Sequence, residues 1–192
     1  MCDFLVYAVG HSIANLRDLH NSWHNITYNG VVFRAFIYCF YAPGATLNSY
    51  FNSSAYRSLC DAPKPDLTLV FMGGNDITQN TVVRELQDRI IQFCEHIESL
   101  TTVPCKVFFI EPRTRLRGVD YVSYNRIRNL LNRNFQHKDR TFFPNRYVIT
   151  PLRFEFLSTD GVHPNAFGEV RLNAKVLQVI GSHLYTHHLF ED

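Results

Sequence analysis

The chain has 192 residues, and its 19 Lys and Arg residues against 17 Asp and Glu residues give a net charge of +2. Hydrophobic residues make up 46% of it, which excludes a disordered chain and suffices for a sizeable core. No apolar run approaches the roughly 20 residues of a membrane-spanning helix, which excludes an integral membrane protein, and the near-neutral total argues against a whole-surface nucleic-acid binder. Length and composition predict a single domain over residues 1–192.

The start of the chain and its cysteines indicate where the protein resides. The first apolar run begins at Phe4 without a basic leader and stops at Gly10, too early for a signal peptide. The five cysteines are odd in number and form no C-x-x-C pair, so neither a disulfide framework nor a zinc site is expected. We expect an intracellular, cytoplasmic protein or a domain cut from a longer chain.

Short apolar runs alternate with segments of helical periodicity along the chain. The pattern predicts, in order, a strand at 4–9, a helix from about 13 to 23, a strand at 31–40, a short helix at 48–59, a strand at 67–72, a helix at about 81–100, a strand at 106–110, a helix at 119–135, a strand at 146–150 and a helix from about 165 to 185. This alternation predicts the α/β class, specifically a three-layer α/β/α sandwich with a mostly parallel five-stranded sheet.

Polar residues follow the predicted strands, where such sheets bind ligands. Ser12 comes directly after the first strand and would act as a nucleophile if a histidine removed its proton; alternatively, it only caps a helix. Asp160 and His163 lie three residues apart in a loop, a spacing at which the carboxylate can orient the imidazole; alternatively, the aspartate caps the next helix.

Two glycine-containing loops supply candidate hydrogen-bond donors for a reacting carbonyl. The Asn75 side chain follows Gly73-Gly74 after the third strand, and Gly44 lies after the second strand. Together with the Ser12 N–H, the Gly44 N–H and the Asn75 amide would form a three-donor oxyanion hole. The alternative for Gly73-Gly74 is a simple sharp turn.

The order of these motifs resembles the SGNH, or GDSL-type, hydrolase family. The four matching blocks are Gly10-His11-Ser12-Ile13, Ala42-Pro43-Gly44-Ala45, Gly73-Gly74-Asn75-Asp76 and Asp160-Gly161-Val162-His163. The resemblance implies a flavodoxin-like fold, a Ser12-His163-Asp160 triad, oxyanion donors at Ser12, Gly44 and Asn75, and no metal or organic cofactor. It implies a serine esterase acting on short-chain acyl or acetyl esters, with lipid esters among the candidates.

His11 departs from the family pattern, which usually has aspartate at that position. The histidine could steer an anionic substrate or fill a structural position, and Arg113 and Arg115 are further candidates for substrate binding because they follow the fourth strand. His183 and His187 are spaced four apart on the last helix and could hold a metal, but no third ligand type converges on them in the sequence. A solvated helix end is therefore the favoured interpretation, and no metal site is predicted.

The near-neutral net charge of the whole chain conceals a strongly basic segment. Residues 113–146 contain nine basic and two acidic residues, a net charge of +7, and the remaining chain carries −5. The alternative function is therefore a catalytically weak module of this fold that binds RNA or an anionic membrane surface through residues 113–146. The Gly-His-Ser variant and the compact size also resemble the esterase-type domains of certain retrotransposons.

Overall fold

The computed structural model describes residues 3–108, 120–141, 157–159 and 163–188. Within these residues five strands form one sheet: β1 (Asp3–Gly10), β2 (Ser22–Tyr28), β3 (Val31–Tyr41), β4 (Leu67–Phe71) and β5 (Cys105–Val107). Their order across the sheet is β2-β3-β1-β4-β5, with β2 antiparallel to β3 and the other pairs parallel. The predicted mostly parallel five-stranded α/β sheet is confirmed.

In the described part of the chain, four α-helices cover the two faces of the sheet: α1 (Ser54–Asp61), α2 (Val83–Thr101), α3 (Tyr121–Thr141) and α4 (Ala166–His188). Successive residues of β1 alternate between the two cores, because side chains of a strand point to opposite faces. Tyr7 and Val9 pack with residues of α1, α2 and α3, whereas Val6 and Ala8 pack with residues of α4. This arrangement gives the three layers that the sequence predicts. None of the described helices is long and apolar enough to cross a bilayer.

The helix predicted at residues 13–23 is wrong. The structure has a single 3-10 turn at Ser12–Ala14, further turns, and then the strand β2 from Ser22. Ile13, Leu16 and Leu19 have helical spacing and are all buried, which explains the prediction. Asn21 has a left-handed backbone (φ 55) that ends the turns where β2 begins.

The strand β2 belongs to a hairpin that the sequence pattern also signals. Asn29 (φ 48) and Gly30 (φ 79) form the two-residue turn between β2 and β3, and an Asn-Gly pair between β-forming segments is a strong hairpin signal. The fifth strand of the sheet is therefore this edge hairpin strand, and the strand predicted at residues 146–150 lies outside the described residues.

Gly10 is required at the end of β1 by close backbone packing. A Cβ atom at this position would clash with the carbonyl oxygen of Phe71 on β4, and the backbone has a φ of +150° that side chains disfavour. The next residue, His11, donates its N–H to the same Phe71 carbonyl at 3.1 Å. Gly10 thereby lets the chain turn directly from the sheet into Ser12.

Candidate active site

Ser12 and His163 meet at the carboxyl ends of the strands. The Ser12 Oγ atom lies 2.7 Å from the His163 Nε2 atom, although 151 residues separate them in the chain. When the imidazole proton sits on Nδ1, Nε2 accepts the hydrogen bond from the hydroxyl, which is the arrangement a general base needs. The proximity expected from the sequence is therefore present in the structure, whereas Asp160 lies outside the described residues.

His163 is held by the start of α4. Asn165 caps this helix by accepting the N–H of Gly168 at 2.8 Å through Oδ1, and its own amide donates to the Leu157 carbonyl at 3.1 Å. Ser158 N–H donates to the His163 carbonyl at 2.8 Å. The side chain that caps the helix after His163 is thus Asn165, and it ties the histidine's segment to the chain at Leu157.

The Gly44 loop, defined as residues 42–47, lies beside the serine. Its first residue, Ala42, donates its N–H to the Gly10 carbonyl at 2.8 Å, two residues before Ser12. Gly44 has a left-handed backbone (φ +72) and is exposed. No described residue accepts a hydrogen bond from the N–H of Ser12 or of Gly44, so both donors are available to a ligand.

Asn75 is attached to this loop through one of its two amide hydrogens. Its Nδ2 atom donates to the Ala45 carbonyl at 3.0 Å, which leaves the second hydrogen for another acceptor. Asn75 lies in a 3-10 turn, Gly74–Asp76, that starts after Gly73 in the left-handed conformation (φ 101). The three predicted oxyanion donors therefore belong to segments joined by hydrogen bonds.

A cleft of about 480 Å³ opens next to the serine and histidine. Its buried floor contains Ile13, Leu16 and Leu172, and its rim carries the charges of Arg17, Asp18 and Glu169. Tyr41 and Pro43 come from the end of β3 and the start of the Gly44 loop; Asn15, Pro164 and Asn173 complete the lining. The cleft joins a small apolar surface to a polar opening, which is typical of a small-molecule site.

His11 has a neutral imidazole at physiological pH. Burial, with a smaller repulsion from His163, lowers the pKa of His11 from its usual 6.5 to about 4. Its Nδ1 atom accepts the Ile13 N–H at 3.3 Å. Its Nε2 atom faces Gly74, 3.8 Å from the position that a Cβ atom would occupy on that glycine. These contacts support the structural alternative for His11 over the attraction of an anionic substrate.

Acid should destabilise the fold through His11. Between pH 6.5 and 4 the unfolded chain binds a proton on His11 that the folded protein excludes. The free energy of unfolding is therefore undiminished by His11 above this window and falls as the pH falls through it. His11→Asn keeps a polar side chain that does not titrate, and we expect it to remove on the order of 2 kcal/mol of this acid-induced loss. Urea unfolding at pH 7 and 4.5 measures the difference; equal acid losses in both proteins would contradict the expectation.

The structure describes only some of the basic residues predicted to bind substrate or an anionic partner. Arg113 and Arg115 lie outside the described residues. Of the remaining basic residues of the 113–146 segment, Arg126 and Arg133 are exposed on α3, but Arg128 is buried and is not available to a partner. Binding of RNA or acidic lipid by this segment stays a prediction.

The histidine pair on α4 forms a ring contact. The rings of His183 and His187 have centroids 4.3 Å apart, and His183 is buried. Within the described part of the chain, no group of three or more His, Cys, Asp or Glu residues is placed to hold a metal ion.

Several solved structures with the same fold are named as lipases, acylhydrolases or esterases, although their sequences differ widely from this one. A lipase/acylhydrolase from Enterococcus faecalis is 17% identical with a TM-score of 0.56, and the match covers 93% of this chain and 96% of that one. A GDSL-like lipase from Bacteroides thetaiotaomicron is 17% identical with a TM-score of 0.61, covering 93% and 88%. A peptidoglycan O-acetylesterase is 11% identical with a TM-score of 0.57, covering 80% of this chain and 48% of that protein.

These similarities confirm the SGNH hydrolase-like fold expected from the four sequence blocks. No protein-family model matches the sequence, and no curated protein is similar enough in sequence to count as a relative. The comparisons give no support to a link with retrotransposons.

Proposed function

We propose that the protein is a serine esterase whose nucleophile is Ser12 and whose general base is His163. The observation that carries this proposal is the 2.7 Å contact between the Ser12 hydroxyl and the His163 imidazole, on a fold shared with lipases and acylhydrolases. A serine hydroxyl is a weak nucleophile until a base removes its proton, and this contact provides that base.

The reaction proceeds by two acyl transfers. Ser12 Oγ attacks the ester carbonyl carbon while His163 Nε2 takes the hydroxyl proton, and His163 then protonates the departing alcohol as the carbon–oxygen bond breaks. A water molecule, deprotonated by the same imidazole, attacks the acyl-serine and releases the carboxylic acid and free Ser12. The N–H groups of Ser12 and Gly44 and the free amide hydrogen of Asn75 stabilise the negative oxygen in both steps. Asp160 holds the proton on His163 Nδ1.

The cleft favours short acyl groups as substrates. Its apolar floor is formed by only a few side chains, and the charges of Arg17, Asp18 and Glu169 lie at its rim. A long acyl chain that extended past the floor would desolvate these charges, which is unfavourable without compensating partners. Acetyl and other short-chain esters, including those of lipids, avoid this cost.

Covalent labelling with a fluorophosphonate tests the proposal. We expect the wild-type protein to gain one adduct, located on the Ser12 peptide by mass spectrometry, because an activated serine attacks the phosphorus atom and the oxyanion donors hold the product. The same protein should hydrolyse 4-nitrophenyl acetate faster than the decanoate.

Two variants make the labelling result specific. Ser12→Ala should not be labelled. Ser99→Ala, which removes an exposed hydroxyl on α2 that donates to the His96 carbonyl, should be labelled like the wild type. An unlabelled, inactive wild type or an adduct elsewhere would refute the assignment of Ser12 as the nucleophile.

A further inference from the structure

We propose that Asp76 is a positioning residue that holds the Gly44 loop in the conformation needed for oxyanion stabilisation, with Arg89 as its supporting partner. This inference rests on the proposed esterase function. It assigns no contact between Asp76 and the substrate: Asp76 acts on the backbone of the loop, and the loop in turn presents the Gly44 N–H.

The Asp76 carboxylate bridges two segments of the protein. Its oxygens Oδ1 and Oδ2 lie 3.3 Å and 3.1 Å from the Leu47 nitrogen and accept that N–H at the end of the Gly44 loop. Its Oδ1 also accepts a hydrogen bond from Arg89 Nη2 on α2 at 3.0 Å. Only 3% of the Asp76 side chain is exposed, against 42% of the Arg89 side chain. The bridge is therefore a buried carboxylate supported by a cation at the surface.

The Gly44 loop depends on such anchors for its conformation. Ala45 and Leu47 are buried in the core, but nothing lies within 4 Å of where a Cβ on Gly44 would be, so side-chain packing does not hold the exposed tip of the turn at Gly44. Hydrogen bonds hold the loop on both sides of this tip: Ala42 N–H donates to the Gly10 carbonyl at its start, and Thr46 N–H donates to Ser49 Oγ after it. At its other end the Asn75 amide binds the Ala45 carbonyl and Asp76 binds the Leu47 N–H. Two consecutive residues thus hold the two sides of one turn.

A carboxylate suits this position better than an amide. Both groups that face Asp76, the Leu47 N–H and the Arg89 guanidinium, are donors, so both oxygens must accept. In Asp76→Asn the new NH₂ group would face one of these two donors and break that contact. Arg89 would then lose its partner, or the loop would lose its anchor, in a site where small displacements of the donors reduce the rate.

The test compares Asp76→Asn with a matched control, Asp66→Asn. Asp66 also accepts a backbone N–H, that of Leu5 at 2.7 Å, but it does so at the start of β1, the end of the strand opposite Ser12. We expect Asp76→Asn to lower kcat for 4-nitrophenyl acetate by about 10- to 100-fold, with KM changed less than about threefold, because transition-state stabilisation is lost rather than ground-state binding. The Leu47 amide should exchange with deuterium faster than in the wild type. Asp66→Asn should leave kcat within about twofold.

Variants at Arg89 separate the role of the Asp76 bridge from general stability, because 42% of this side chain is exposed and its replacement leaves the core packing intact. Arg89→Lys keeps a cation and should retain most of kcat, whereas Arg89→Ala should lower kcat more than Arg89→Lys does. Equal kcat losses in Asp76→Asn and Asp66→Asn, or Leu47 exchange as slow as in the wild type, would overturn the inference. An inactive wild type would instead defeat the proposed function, and Leu47 exchange would still decide whether Asp76 anchors the loop.

Discussion

Replacing His163 with alanine should lower kcat for 4-nitrophenyl acetate by about 10⁴-fold, and adding Ser12→Ala should lower it little further. The two side chains form one proton-transfer unit, with their reacting atoms 2.7 Å apart, so removing either one disables the other. The residual rate would come from the oxyanion donors and from substrate binding, neither of which the substitutions touch.

The non-additivity of these two substitutions is the informative measurement. His163 is exposed, and its replacement leaves the bridge between Leu157 and Pro164 and the Asn165 cap in place, so the fold should be retained and circular dichroism should show it. A double variant whose loss equals the product of the single losses would show that Ser12 and His163 act independently. Such a result would contradict the proposed mechanism.

Asn75→Ala should lower kcat by about 10²- to 10³-fold, which corresponds to roughly 3–4 kcal/mol of transition-state stabilisation. The substitution removes one donor to the negative oxygen and also the 3.0 Å bond to the Ala45 carbonyl, which orients the neighbouring loop. Both effects act on the transition state, so KM should change much less than kcat. Steady-state kinetics on 4-nitrophenyl acetate measure the two separately.

Asn48→Ala provides the control for this prediction. Asn48 is an exposed asparagine that directly follows the Gly44 loop and makes no side-chain cap hydrogen bond to the adjacent 3-10 turn. Its replacement should leave kcat within about twofold. A similar loss for Asn48→Ala and Asn75→Ala would mean that disturbance of the loop, rather than removal of a specific donor, explains the effect.

The elements with an unambiguous periodicity were predictable from the sequence. The run at β4, apolar except for Thr68, is buried at all five positions, and the helical spacing of Leu86, Ile90 and Ile97 places all three in the core. A parallel strand in the centre of a sheet is buried on both faces, and a helix is buried on one, so burial alone produces these patterns.

The helix predicted at residues 13–23 was wrong because hydrophobic periodicity does not specify backbone conformation. Ile13, Leu16 and Leu19 enter the core from successive short turns, and this spacing is indistinguishable from that of an amphipathic helix. The turn residues carried the missing information. Asn29-Gly30 predicts a hairpin, which in turn requires a strand before it and leaves no room for a helix that reaches Trp23.

The candidate site was predictable only as far as the topology determines it. Ser12 directly follows β1 at the edge of the sheet where such folds bind ligands, so a catalytic partner from a later loop was expected there. The partnership of Asp76 with Leu47 was not predictable, because it depends on how two loops meet and no local pattern records that. Arg128 shows the same limit, since a charged helical position is usually solvated but this one is buried.

The 151-residue separation between Ser12 and His163 also has a consequence for folding kinetics. The sheet joins β1 to strands that lie closer to it in the chain than α4 does, whereas the reacting pair forms only when the chain carrying α4 returns to the end of β1. Contacts between distant parts of a chain form slowly because the entropy of closing a large loop must be overcome first. During refolding, ester hydrolysis would therefore recover after β-sheet structure forms. The delay between the two signals would measure how long α4 takes to dock.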